Sequence, residues 1–272
     1  DFVGSRGLGD VYKRQNFDTL LLRTVGEPLT VTEGSSDTVI NITNAAGTDQ
    51  KKLINKLIAS ANSESSALTM SIQDDSSGGS ANTLLTGDAL TGAAAGSAIT
   101  IDLGTVSATD ALLTRIDSLG AQDGITSITA DITNINADRV AHLKTLTNIG
   151  SGTKYQLTYA TSGALTLEQA KDLTTFTNKT TNSIDFAAAV TGATTDFYNG
   201  SAFTSDFLTV LGKDANPFVS LTDTINDSTK VAALNALESG YGSPLQPGTT
   251  GTIAATVTGA AGTVKAVNVT TQ

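Results

Sequence analysis

Residues 124–161 read GITSITADITNINADRVAHLKTLTNIGSGTKYQLTYAT, and their pattern decides the fold. The stretch opens with apolar and polar side chains in alternation, the pattern of a β-strand with one buried face, at Ile128, Thr129, Ala130, Asp131 and Ile132. Val140, Leu143 and Leu146 then follow at the spacing of an amphipathic helix. A second alternating segment surrounds Leu157. The stretch therefore predicts a strand–helix–strand unit.

The same unit recurs along the chain from Asp37 onward. Alternating segments are centred near Ile40, Met70, Ile101, Ala130, Leu157, Phe186, Leu221 and Ala255. Neighbouring centres are about thirty residues apart, a period typical of proteins that repeat one supersecondary unit. Two units are irregular, because residues 83–90 make a poor helix and an insertion lies around residues 197–203. We therefore predict an α/β repeat region.

Helices are predicted between the strand centres. Apolar stripes at helical spacing comprise Leu53, Ile54, Leu57 and Ile58; Leu112, Ile116 and Leu119; Ala170, Leu173 and Phe176; and Val231, Leu234 and Leu237. The predicted N-terminal caps are Ser107 with Asp110, Thr166 with Gln169, and Asp227 or Ser228. Gly120 and Gly240 are predicted to end two of these helices.

The lengths of the elements fit an open solenoid. A helix of roughly 10 residues spans about 15 Å, and a strand of roughly 5 residues spans about 17 Å. Each helix can therefore return along its strand and set the next strand parallel to the last. Because the strands alternate instead of being apolar throughout, one sheet face should be covered by helices and the other should meet water. We predict a repetitive open solenoid whose parallel sheet carries helices on one face.

The repeats resemble those of very large bacterial secreted and cell-surface proteins. The resemblance rests on residues 124–161, on LTLEQAKDLTTFTN at 165–178, and on STKVAALNALESG and GTIAATVTGAAGTVKAVNVT at 228–240 and 251–270. Such chains are adhesin-like and are associated with hemolysin-type calcium-binding proteins. The resemblance implies a surface or secreted role and assigns no site residues. The Gly-Asp nonapeptides that bind Ca²⁺ in hemolysin-type proteins are missing here, which leaves a need for Ca²⁺ open.

Composition excludes several functional classes. The chain has 272 residues with a formal net charge of −10, so it lacks the basic footprint of a nucleic-acid-binding protein. The same charge disfavours binding to anionic membranes, and no apolar run is long enough to span a bilayer. Cysteine is absent, which excludes disulfides and Cys-ligated metals. We expect no nucleic acid and no membrane insertion.

No catalytic, cofactor or metal site is predicted. His142 is the single histidine and falls within a predicted helix, where an ordinary helix-surface role is expected. A faint calcium loop at Asp74, Asp75, Ser76 and Gly78 has Leu85 where a bidentate Glu is required. No motif supplies a nucleophile with its base, and no pair of carboxylates stands out for sugar hydrolysis. We therefore predict a protein that is not an enzyme.

The polar sheet face is the one surface left for binding. Thr69, Thr100, Thr129 and Thr158 are expected to stack on neighbouring strands, with Asp102 and Asp131 nearby. Polar β-forming residues simply suit a wet sheet face. The alternatives are carbohydrate binding, cation binding, or lateral contact with another protein.

The two ends of the chain differ from its centre. Residues 1–15, DFVGSRGLGDVYKRQ, look like a translated sequencing adaptor and are expected to pack against nothing. We assign residues 16–36 to a linker or edge β segment and residues 37–272 to the repeat region. The last two alternating segments, 253–257 and 264–269, have no closing helix, which predicts that the region belongs to a longer array and contacts neighbouring repeats.

We therefore expect a non-catalytic structural or adhesive repeat segment of a bacterial extracellular or cell-surface protein. Its expected partners are surface carbohydrate or neighbouring surface proteins. One alternative is a structural segment of a virion or phage fibre, and a second is a carbohydrate-active enzyme on a repeat scaffold.

Overall fold

The chain forms two compact units. The structure is a computed structural model that describes residues 19–23, 28–33, 39–43, 48–63, 68–73, 90–93, 96–150, 153–178, 183–214, 217–240 and 253–259. The first unit spans Asp1–Ile132 and Leu146–Leu157, and the second spans Thr133–Thr145 and Thr158–Gln272.

The first unit is built on a sheet whose strands follow each other in chain order. Its elements are β1 (Thr19–Arg23), β2 (Pro28–Glu33), β3 (Val39–Thr43), α1 (Thr48–Ser63), β4 (Thr69–Gln73), β5 (Ala98–Ser107), α2 (Asp110–Gly120), most of β6 (Ile125–Ile135) and the start of β7 (Tyr155–Thr161). Strands β1, β2 and β3 pair antiparallel, whereas β3, β4 and β5 pair parallel. The expected parallel sheet around Met70 and Ile101 is therefore confirmed.

Strands β5 and β6 run the same way. The hydroxyl of Thr126 donates to the carbonyl of Ile99, and that of Thr129 donates to the carbonyl of Ile101, so the two strands advance together. Met70 lies level with Ile99 on the neighbouring strand, which aligns the apolar side chains into rows.

The first unit buries one side of its sheet, as the alternation predicts. The buried residues on that side are Met70, Ile72, Ile99, Ile101, Leu103, Ile128, Ala130, Ile132, Tyr155 and Leu157. The residues between them on β4 and β5, such as Ser71 and Asp102, are exposed. Helix α2 buries Leu112, Ile116 and Leu119 as expected, and the hydroxyl of buried Tyr155 donates to its backbone.

The second unit has its own sheet, which the sequence pattern did not predict. Its elements are the ends of β6 and β7, α3 (Ala137–Leu143), β8 (Leu165–Thr166), α4 (Leu167–Thr174), β9 (Ile184–Asp185), β10 (Val190–Gly192), α5 (Thr194–Phe197), α6 (Ser205–Leu211), β11 (Val219–Ile225), α7 (Ser228–Gly240) and β12 (Ile253–Val257). Strands β12, β11, β10 and β8 are neighbours in that order and pair parallel. Strand β9 pairs parallel with β7 and ends just before the expected centre at Phe186.

A residue in the left-handed backbone conformation explains why buried and exposed side chains stop alternating strictly near the ends of β5 and β6. Gly104 in β5 has a φ of 59°, and Asn134 in β6, one repeat length later, has a φ of 62°. At each position the next buried side chain follows after three residues instead of two, at Val106 and at Ile135. Glycine and asparagine are the residues that most readily adopt this conformation.

The helix ends agree with the sequence in part. Thr166 and Gln169 form the expected capping box, and Asp227 accepts the backbone N–H of Lys230 at the start of α7. The expected cap at Ser107 is wrong, because Thr109 accepts the N–H of Leu112. Leu146 and Phe176 lie beyond the ends of α3 and α4, where the chain has already turned.

The insertion expected around residues 197–203 is a short hairpin between α5 and α6. Tyr198 and Phe203 form an antiparallel bridge, and their rings meet edge to face at 6.1 Å. Phe203 contacts Phe207 in the same way, and Phe207 contacts Phe197. Because Phe197 and Phe207 are fully buried, this chain of rings anchors the hairpin to the second unit.

Candidate functional site

The candidate site is the exposed side of the sheet in the first unit, which we call the polar face. We define it by Ser71 and Gln73 on β4, Thr100 and Asp102 on β5, and Thr126, Thr129 and Asp131 on β6. Ser71 lies level with Thr100, and Gln73 lies level with Asp102. Adjacent strands of a sheet are about 4.8 Å apart, so these groups form short rows across the strands.

Two threonines of the polar face have fixed hydroxyl orientations. Thr126 and Thr129 each donate to a main-chain carbonyl of β5 at 3.2 Å. Their oxygen lone pairs then remain as acceptors on the face. Asp102 accepts the N–H of Gly104 at 3.0 Å with one carboxylate oxygen, so its side chain is also held in place. The polar face therefore presents ordered acceptors.

The expected threonine ladder is wrong at its first step. Thr69 lies level with Ala98, and Thr100 lies level with Ser71. The reason is the register of the parallel pair, which sets Thr100 two residues further along the strand than Thr69. Thr158 belongs to the second unit and is half-buried. The hydroxyl row nearest to the expected ladder thus contains Ser71 and Thr100.

The remaining candidate residues do not assemble into a site. His142 is half-exposed in α3, and its carbonyl accepts the N–H of Thr145 at the helix end. The faint calcium loop with Asp74, Asp75, Ser76, Gly78 and Leu85 lies outside the described residues, as do residues 1–15 and 264–269. Within the described ranges, no group of three His, Cys, Asp or Glu side chains is placed to hold a metal ion.

A buried carboxylate in the first unit escaped the sequence analysis. Asp117 of α2 accepts the N–H groups of Asn148 and Ile149 at 2.7 and 2.8 Å, and the side-chain amide of Asn148 at 3.0 Å. Burial raises the pKa of the nearby Tyr155 hydroxyl, and the negative charge of Asp117 raises it further. The one hint in the sequence is that Asp117 lies between Ile116 and the end of the apolar stripe.

A second carboxylate plays a similar part in the second unit. Asp223 of β11 accepts both the N–H and the hydroxyl of buried Thr194 at 2.8 Å, and Lys230 lies 3.4 Å away. Burial opposes the charge of Asp223, but the hydrogen bonds from Thr194 and Lys230 outweigh it and lower the pKa of the carboxyl. The contacts join β11 to the start of α5, so the role is structural.

Replacing Asp223 by Asn should remove an acid-sensitive contribution to stability. A lowered folded-state pKa stabilises the fold above the unfolded value of about 3.8, and this is lost as the pH falls through the folded value. We expect Asp223→Asn to lower the free energy of unfolding by about 1 kcal/mol at neutral pH. In urea titrations the difference should shrink below pH 4, and the control Asp138→Asn, which removes an exposed carboxylate from the same unit, should cost less than Asp223→Asn at neutral pH. A constant difference down to pH 2 would contradict this account.

The described helices contain no segment that is both long and apolar enough to cross a membrane. Comparison of the chain with protein-family models, curated proteins and solved structures finds no match. Function is therefore inferred from the chain's own residues.

Proposed function

We propose that the chain is a non-catalytic structural or adhesive repeat segment of a bacterial extracellular or cell-surface protein. The observation that supports this most is the pairing of strands in chain order, with parallel neighbours about thirty residues apart. Each strand then buries its apolar side against neighbours of the same kind, which is how an open α/β solenoid is stabilised.

Hydrogen bonds between successive repeats support the repeat proposal. In the first unit, the bonds from Thr126 to Ile99 and from Asn148 to Asp117 each join positions about one period apart. In the second unit, the hydroxyl of Thr191 donates to the carbonyl of Leu165 at 3.2 Å, and Thr194 donates to Asp223. Several polar side chains thus join one repeat to the next, which suits a structural role.

The adhesive part of the proposal rests on the polar face. Its groups are hydroxyl, amide and carboxylate oxygens on a rigid sheet, and such groups accept hydrogen bonds from the hydroxyls of a sugar. The rows across the strands suit an extended chain of sugars lying across the sheet. We therefore propose surface carbohydrate as the partner, with a neighbouring surface protein as the alternative. The resemblance to adhesin-like repeats supports the extracellular location.

The test is carbohydrate binding with a matched pair of variants. We expect the chain to bind one or more bacterial or host polysaccharides on a glycan array, and Thr100→Ala/Asp102→Ala to weaken that binding at least about tenfold, or about 1.4 kcal/mol. The control is Asp110→Ala, which removes an exposed carboxylate at the start of α2 instead of on the sheet. Biolayer interferometry gives the affinities.

Three outcomes would contradict the proposal. Equal loss in the control would mean that charge and not the polar face carries binding. Absence of binding to any polysaccharide would remove the adhesive part and leave a structural segment. A stable trimer in sizing and cross-linking would favour a fibre over a solenoid, because a solenoid segment is expected to be monomeric.

A further inference from the structure

We propose that Asn199 is a site of spontaneous modification, at which the side-chain amide is lost as ammonia through a cyclic imide with Gly200. These residues form the single Asn-Gly pair in the sequence. Both are exposed, and they lie in the turn of the hairpin that joins Tyr198 to Phe203. The inference concerns this turn and does not depend on the proposed adhesive role.

The turn restrains the torsions that separate the two reacting atoms. Oδ1 of Asn199 accepts the backbone N–H of Ser201 at 3.1 Å. The ring closed by this hydrogen bond contains both the side-chain carbonyl carbon of Asn199 and the backbone nitrogen of Gly200. The N–H of Asn199 also donates to the carbonyl of Ala202 at 3.0 Å, which fixes the loop. A held geometry of this kind raises the effective concentration of the attacking nitrogen.

The same turn polarises the carbonyl that is attacked. Besides the Ser201 N–H, Oδ1 accepts the Ser201 hydroxyl at 3.0 Å and the N–H of Ala202 at 3.0 Å. Negative charge develops on this oxygen when the nitrogen adds, and donors already in place stabilise it. Gly200 has a φ of 94°, and a Cβ built on it would meet nothing within 4 Å. The peptide nitrogen is therefore not shielded by a side chain of its own residue.

The reaction needs only water. Hydroxide removes the proton from the Gly200 nitrogen, and the nitrogen forms a bond to the side-chain carbonyl carbon of Asn199. The bond from that carbon to the amide nitrogen then breaks, and ammonia leaves with a proton from water. Water later opens the imide at either carbonyl, which gives aspartate or isoaspartate. No electrons are exchanged with another molecule.

The product changes the hairpin. Isoaspartate places one extra carbon in the backbone between Tyr198 and Phe203, and that insertion disturbs the bridge between them. Either product adds a negative charge to an exposed loop. The contacts between aromatic rings at the base of the hairpin should then loosen. The modified fraction of the protein should therefore increase with the time since its synthesis.

The experiment follows the intact chain at neutral and mildly alkaline pH by peptide mass spectrometry, with isoaspartyl methyltransferase to detect isoaspartate. Asn134 is the control within the same molecule, because it is also exposed but is followed by the branched Ile135. We expect Asn199 to convert at least about tenfold faster, a barrier difference of about 1.4 kcal/mol. The rate should rise with pH, and both aspartate and isoaspartate should form.

Two further measurements test the role of the turn. Ser201→Ala removes one donor to Oδ1 and should slow conversion about threefold, whereas Asn199→Gln should not convert. In denaturant the rate at Asn199 should stay the same or fall. Conversion no faster than at Asn134 would overturn the site, and a rate that rises strongly on unfolding would overturn the claim that the turn promotes the reaction.

Discussion

Replacing Gly120 by Ala should be among the most destabilising single changes in the first unit. A Cβ at this position would lie 1.8 Å from the hydroxyl oxygen of Tyr155 and 2.5 Å from the carbon that bears it. The ring cannot move cheaply, because it is fully buried and its hydroxyl donates to the carbonyls of Ile116 and Asp117. We expect a loss of about 3 kcal/mol in the free energy of unfolding, measured in urea.

The matched control is Gly212→Ala. Gly212 also ends a helix in the right-handed conformation, and its nearest neighbours would be carbonyl oxygens at 3.4 and 3.5 Å from the new Cβ. Alanine should be accepted there and stabilise the protein by up to about 1 kcal/mol. Similar losses at both positions would show that the glycines serve the helix ends and not the contact with Tyr155.

A double variant separates the contact from other effects. Tyr155→Phe should cost about 1 kcal/mol, because it removes the hydrogen bonds to α2 and leaves two carbonyls without that donor. In the Gly120→Ala background the same change should cost less or even stabilise, since the hydroxyl is the closest atom to the new methyl group. Additive losses would contradict a direct clash.

The strands and helices were predictable where a periodic pattern specifies them. The alternation of apolar and polar side chains around Ile101 and Ala130 predicted β5 and β6. The apolar residues Leu112, Ile116 and Leu119 at helical spacing predicted α2. A period of 2 or 3.6 directly reports which side of an element is buried. For the same reason, the exposed side of β4 and β5 was predictable as a polar surface.

Features fixed by single tertiary contacts were not predictable. Gly120 ends α2 as expected, but its small size is needed for contact with Tyr155, which is distant in sequence. Asn134 interrupts the alternation that the prediction relied on, because its left-handed conformation moves the next buried residue of β6 to Ile135. The register that sets Thr69 beside Ala98 depends on where each strand begins. None of these is encoded in a local pattern.

Replacing Asp117 by Ala should destabilise the first unit by about 3 kcal/mol. The backbone N–H groups of Asn148 and Ile149 would lose a charged acceptor, and Ile149 is buried, so water cannot fully replace it. Asp117→Asn should cost less, because its side-chain oxygen can still accept from the two N–H groups. Urea denaturation measures the loss, and hydrogen exchange should show faster exchange of the Asn148 and Ile149 amides in Asp117→Ala.

The control for Asp117 is Asp110→Ala, on the same helix but with an exposed side chain. We expect it to cost less than about 1 kcal/mol, through its weak interaction with the helix N-terminus, and to leave exchange at Ile149 unchanged. The loss in the free energy of unfolding should decrease in the order Asp117→Ala, Asp117→Asn, Asp110→Ala. This order distinguishes the loss of a specific hydrogen-bond acceptor from a general loss of negative charge. Because the chain carries a net charge of −10, removing any carboxylate reduces the repulsion between negative charges. An Asp117→Ala protein that is more stable than the parent would contradict the prediction, since repulsion would then outweigh the three hydrogen bonds of Asp117.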